Sequence, residues 1–209
     1  MFNVYFAGDL FDHKHITGNL ILAQYIEKLS KNEFKCSLPQ DLEGSGKWNS
    51  EVDVRNRDIQ AIIESDFVLF NFDGADIDSG TIVEYIIAKM LDIPSVILRT
   101  DSRSVSYMFG QDWNLMMSGF PRCSIVKQPA MALYNEIGLD KTHQTIALAV
   151  IHGFKQVIQE KSLLSSHEEI VTVYNHVLKL SGGGIEKIIP QALLHDIISA
   201  KIEKNIYSL

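Results

Sequence analysis

Three acidic residues stand where the pattern of the chain allows them to do chemistry. They are Asp58 in RNRDIQAI, Asp78 in DGADIDSGT and Glu84 in GTIVEYIIA. Each falls in a segment that leaves a strand or enters a helix, where an α/β fold opens its ligand crevice. Glu84 is the sharpest. It lies in the first turn or two of a helix that begins near residues 79–81, after a strand and a glycine-containing loop. The positive end of the helix dipole favours an ionised carboxylate there. An ionised carboxylate is what attack on an anomeric carbon requires, because it must then hold the sugar covalently. Glu84 also reads as a solvated helix position, although its neighbours Ile82, Val83, Ile86 and Ile87 are apolar. Asp58 reads equally as a first-turn acid stabilising a helix, and Asp78 as a helix cap. Asp66 begins a strand at the edge away from the crevice and is assigned no chemistry.

Other reactive patterns are weaker. His13 and His15 form an HxH, but a metal site needs further ligands that the sequence does not supply, so none is expected. The triple glycine at 182–184 lacks the preceding strand and following Lys-Ser/Thr of a phosphate loop, so it is expected to be a turn between helices. Cys36 and Cys123 lie far apart and form no CxxC pair, which fits two free thiols in a reducing compartment.

The elements that must position these residues follow from periodicity. Residues 2–7, 34–38, 67–72 and 95–98 are short apolar runs bounded by turn signals, as strands are. Helical spacing of apolar residues covers 19–29, 55–64 and 81–91, with a polar loop over 9–17 and an exposed loop over 40–53. Alternating strands and helices joined by short links predict a parallel α/β sheet. From about residue 130 the strand signals stop, and 142–161, 167–180 and 185–204 are predicted as helices. The expected organisation is a catalytic domain over 1–130 with an all-helical C-terminal extension over 131–209.

Composition excludes several partners. With 19 basic and 26 acidic residues the net charge is −7, and no basic cluster offers a surface for nucleic acid. No apolar stretch reaches the length of a membrane span. MFNVYFAG runs directly into the first strand without the pattern of a secretion signal, so a cytoplasmic protein is expected.

Taken in order, VYFAGDLF, RNRD, DSGTIVEYIIAK and WNLM resemble the successive motifs of the nucleoside 2-deoxyribosyltransferase family, over about residues 2–118. The resemblance implies a Rossmann-like (flavodoxin-like) parallel sheet flanked by helices. It makes Glu84 the nucleophile, with Tyr5 beside it, Phe11 packed near the sugar and Asp58 the proton donor to the nucleobase. It gives Asp78 the sugar 5′-hydroxyl. Asn114 would reach the same hydroxyl from a neighbouring subunit, and Met116 completes that motif. The family site needs no cofactor, and the implied partners are a deoxynucleoside, a free nucleobase and further copies of the chain. Two departures stand out. Asp9 occupies a position usually held by a small residue or proline, and the region after 130 replaces a short tail that in some members reaches the active site.

Related nucleoside-monophosphate hydrolases tend to carry serine six residues before the nucleophile. A carboxylate there, as in Asp78, repels a phosphate and suits a neutral hydroxyl. The resemblance therefore implies transfer of 2-deoxyribose between bases of free nucleosides. Hydrolysis of nucleosides or nucleotides at the same site is the alternative, and a non-catalytic nucleoside-binding protein is a third.

Overall fold

The structure is a computed structural model that describes residues 1–43, 50–103 and 113–208. Its centre is a sheet of five strands, β1 (Phe2–Ala7), β2 (Phe34–Ser37), β3 (Phe67–Asn71), β4 (Ser95–Arg99) and β5 (Cys123–Lys127). All pairs are parallel, in the order β2-β1-β3-β4-β5. This is the flavodoxin-like winding. The chain leaves β1 towards one edge and β3 towards the other, so the ends of β1 and β3 flank a switch point that opens a crevice. FVLFN in β3 and SVILR in β4 are buried nearly throughout because helices cover both faces.

Side-chain alternation assigns the two faces. Phe67 packs on Phe154 of α6 (Leu139–Val157), and α6 lies against α1 (His13–Leu29). Three residues on, Phe70 points the opposite way and meets Tyr85 of α4 (Ser79–Met90). Beside α4 on that second face lies α3 (Glu51–Glu64). The helices past residue 130 thus include one that covers the sheet, since α6 also touches β4 and β5.

Several boundaries differ from the sequence reading, each for a local reason. α1 starts at His13 rather than within an extended polar loop, because Asp12 caps it. The Asp12 carboxylate accepts from the backbone of Lys14 at 2.8 Å and His15 at 3.0 Å. The expected loop over 40–53 is partly helical. It holds the short α2 (Pro39–Glu43) and the start of α3, which Ser50 caps by accepting from Asp53 N. Residues 44–49 of that loop lie outside the described residues. β5 was not expected. It is an edge strand with only Val126 buried, so its apolar signal is thin. The last predicted helix is two, α8 (Ile185–Ile188) and α9 (Gln191–Glu203), divided at Pro190. Before them come α5 (Ala130–Ile137) and α7 (His167–Ser181).

The triple glycine is an inter-helix turn with positive φ at all three residues. It docks on α3. Asn56 Nδ2 donates to Gly183 O at 2.7 Å, and Arg55 donates to Ser181 O at 2.7 Å. A Cβ on Gly183 would lie 2.9 Å from Val52, so close approach adds to the backbone demand for glycine. Two residues of RNRD therefore hold the C-terminal helices against the helix that carries Asp58. Buried polar groups secure the chain end further. Arg122 donates to the Asp92 carboxylate at 2.9 Å and to Ile206 O, and Lys204 pairs with Asp66 at 2.6 Å. Asp66 thus has a partner in the chain terminus, away from the crevice.

Candidate active site

Tyr5 projects from the middle of β1 towards α3 and α4, and it is fully buried. Its hydroxyl donates to Glu84 Oε1 at 2.6 Å. Asp58, on α3, bears on the same hydroxyl through both charge and hydrogen bonding. Burial, Glu84 and Asp58 together hold the phenol well above its ordinary pKa, so Tyr5 stays a donor across the working pH range.

Glu84 departs from the expectation of an acid kept ionised by a helix end. Its pKa is pushed up to about 8, first by burial, then by the charges of Asp58 and Asp78, while the bond from Tyr5 pulls it down. The reason is positional. Asp78 caps α4, so Glu84 sits in the second turn, beyond the reach of the terminal dipole. The helix end serves Asp78 instead. Its Oδ2 accepts from Thr81 N at 2.8 Å and Thr81 Oγ1 at 3.1 Å. A side chain on Gly80 would come within 3.0 Å of that oxygen, so glycine there leaves the cap its room.

The three carboxylates and Tyr5 thus form one electrostatic cluster. The remaining predicted residues stand outside it. Phe11 is 78% exposed, in the turn before α1. Asn114 caps a single 3₁₀ turn (Leu115–Met117) by accepting from Met116 N at 3.0 Å, and Met116 is 73% exposed. With Asp76 and Ile77 of the loop before α4, Asn114 lines a cavity of about 160 Å³. Beside Tyr5 another cavity, of about 240 Å³, is lined by Ser37 and by Arg57 of RNRD, neither of which was given a role from the sequence. Nothing in their spacing marks them, since they meet only through the pairing of β1 with β2 and the packing of α3. The histidines of the HxH diverge. His15 lies 3.0 Å from Asp12 and His13 lies 3.5 Å from Thr17. Among the described residues no three His, Cys, Asp or Glu side chains are grouped as metal ligands.

Residues 4–116 match the model of the family described as nucleoside 2-deoxyribosyltransferase, just over half of the 209 residues. The chain belongs to that family. Among solved structures, a conserved protein from Enterococcus faecalis V583 is similar at 25% identity and a TM-score of 0.52, over 64% of this chain and 95% of that one. A 2-desoxiribosyltransferase from Leishmania mexicana is similar at 20% identity and a TM-score of 0.49, over 66% of this chain and all of that one. No curated protein matches the sequence. Within the family core, the matched span holds Tyr5, Asp58, Asp78 and Glu84 on the elements just described. No helix among the described residues of this deoxyribosyltransferase-family chain is long and apolar enough to cross a membrane.

The opposing influences on Glu84 give a signed prediction. A carboxyl NMR titration of Glu84 has its midpoint near 8, as its surroundings require. Asp78→Asn removes a like charge and moves that midpoint down, whereas Tyr5→Phe removes the stabilising donor and moves it up. Because the folded pKa is raised above the unfolded one, the stability associated with Glu84 is present at low pH and is lost as pH rises through about 8. Glu84→Gln therefore raises Tm relative to the wild type more at pH 9 than at pH 5. A wild-type midpoint in the ordinary carboxylate range contradicts this account of the cluster.

Proposed function

We propose that the protein moves a 2-deoxyribosyl group from one nucleobase to another by two displacements at Glu84. The observation that carries this reading is the Tyr5–Glu84 hydrogen bond inside a group of three carboxylates. In the first step a Glu84 oxygen bonds to C1′ as the bond from C1′ to the base nitrogen breaks. The electron pair goes to the base, which takes a proton from Asp58. In the second step an incoming base attacks C1′, returns its proton to Asp58 and frees Glu84. No metal or organic cofactor enters the reaction as written.

The electrostatics suit this chemistry. C1′ becomes cationic in the transition state, and buried negative charges that repel one another in the free enzyme gain most when a cation forms among them. With Glu84 raised to about 8, the cluster carries a proton at neutral pH, and the reaction needs it on Asp58. Asp78, already an acceptor for Thr81, takes the sugar 5′-hydroxyl and disfavours a phosphate in the same place. The substrates are thus free deoxynucleosides. A cytoplasmic location fits the two free cysteines.

One observation favours hydrolysis as the second reading. Phe11 and Met116, the residues assigned to cover the sugar, are largely exposed on a single chain and leave the intermediate open to water. Transfer requires that cover, and we assign it to Asn114 and Met116 of a second copy, which places the active site between subunits.

Incubation with a deoxynucleoside and a saturating second base separates the readings. Exchanged nucleoside in large excess over free deoxyribose is expected, and Glu84→Ala abolishes both products. Asp58→Asn retains more activity on bases that leave easily than on bases that need protonation. Free sugar released at the same rate with and without acceptor would establish the hydrolase instead. The shared site is tested by mixing inactive Glu84→Ala chains with impaired Asn114→Ala chains under conditions of subunit exchange. Partial recovery of activity is expected, and its absence in a confirmed mixed oligomer refutes the shared site.

A further inference from the structure

A cavity of about 410 Å³ opens at the C-terminal ends of β3 and β4, on the face covered by α1 and α6. Asn71 lines it, and Asn71 alternates with Phe70, which points to the α4 side. It therefore lies across the sheet from Tyr5 and Glu84. We propose that this cavity is a second ligand site, for an uncharged planar heterocycle that presents a hydrogen-bond donor and acceptor on one edge, as a nucleobase or a ring carboxamide does.

Three observations carry the proposal. The first is Gly18, inside α1 and on the cavity wall. A glycine in a helix interior weakens the helix, and a close neighbour usually explains it. Here a Cβ would meet nothing within 4 Å. What the missing side chain preserves is the open space itself.

The second is a matched pair of amides. Asn19 is only 4% exposed, and its Nδ2 donates to Asp9 O at 3.0 Å. Asn71 Oδ1 accepts from Asp73 N at 3.1 Å. Each side chain is tied at one end. Among the described residues nothing donates to Asn19 Oδ1 and nothing accepts from Asn71 Nδ2, so the cavity is offered one fixed acceptor and one fixed donor. That pair complements an amide or lactam edge.

The third is the character of the walls. The Asp73 carboxylate is already spent on Thr100 N, Thr100 Oγ1 and Asp101 N, and Lys14 is exposed. Among the described lining residues no carboxylate or ammonium is left buried and unpaired, and the His15 ring lies 3.0 Å from Asp12. Leu22, Leu98 and Ile146 are apolar, and the His143 ring is held by stacking on Tyr25 with centroids 5.5 Å apart. Across the opening, α5 buries none of its own residues and leaves Met131 65% exposed. The volume suits a ring of nucleobase or nucleoside size.

The test is titration of ¹⁵N-labelled protein with adenine, cytosine and nicotinamide, following the side-chain amide signals of Asn19 and Asn71. Saturable shifts of both signals are expected with at least one probe, in the wild type and in Gly18→Ala. Gly18→Met fills the space and weakens those shifts at least tenfold in concentration. Met131→Trp closes the cavity from its exposed wall and does the same, should Gly18→Met fail to fold. Response to the bases alone, or to nicotinamide alone, supports the site and identifies which edge it reads. No shift at Asn19 and Asn71 with any probe up to millimolar concentration overturns the proposal, as does equal binding in the filled variants. Base exchange in the same variants reports separately on Glu84, so failure of the catalytic reading is distinguishable from failure of this one.

Discussion

Tyr5 is fully buried, and a buried phenol hydroxyl must find an acceptor. The acceptor it finds is Glu84, on a different element and 79 residues away in sequence. That one bond ties the inner strand β1 to the second turn of α4. With α4 fixed, its cap Asp78 is fixed, and the loop from β3 is held at its far end. α3 is drawn into the same arrangement, since Asp58 bears on the same hydroxyl. The donor also lowers the pKa of a carboxyl that burial and two like charges raise. Without it, a group of acids packed against the sheet would have no internal compensation.

The C-terminal helices contribute to that geometry from outside the cluster. Ser181 O at the end of α7 accepts from Arg55, and Gly183 O in the turn accepts from Asn56, just before Asp58 on α3. Arg122 and Lys204 fasten the segment around residues 204–206 at the N-terminal ends of the strands, the end of the sheet opposite the crevice. On the face away from α3 and α4, α6 supplies Phe154 to the aromatic group of Phe34 on β2 and Phe67 on β3. The strands that aim Tyr5 are thus braced from both sides.

Much of this was legible in the sequence. Apolar runs such as FVLFN and the helical face of TIVEYIIAKM survive any tertiary context, so the order of strands and helices could be read directly. The motif spacing also carried the family. What could not be read depended on burial and caps. The start of α1 was hidden because HKH is polar and the signal is a single Asp12 side chain. β5 was hidden because an edge strand needs little apolar surface. The raised pKa of Glu84 does not show in residue types alone, because burial and position along α4, which set it, depend on the fold. Ser37, Arg57 and the Asn19–Asn71 pair come together only through the fold.

The central claim is that Glu84 holds the sugar covalently between two displacements. Rapid acid quenching of the enzyme with a deoxynucleoside and no acceptor base, followed by peptide mass spectrometry, tests it most directly. The account predicts one dehydrated deoxyribose on the peptide containing Glu84, lost when an acceptor base is added before the quench. Base release with no adduct at any quench time, or an adduct on Asp58 or Asp78 with Glu84 unmodified, would contradict it.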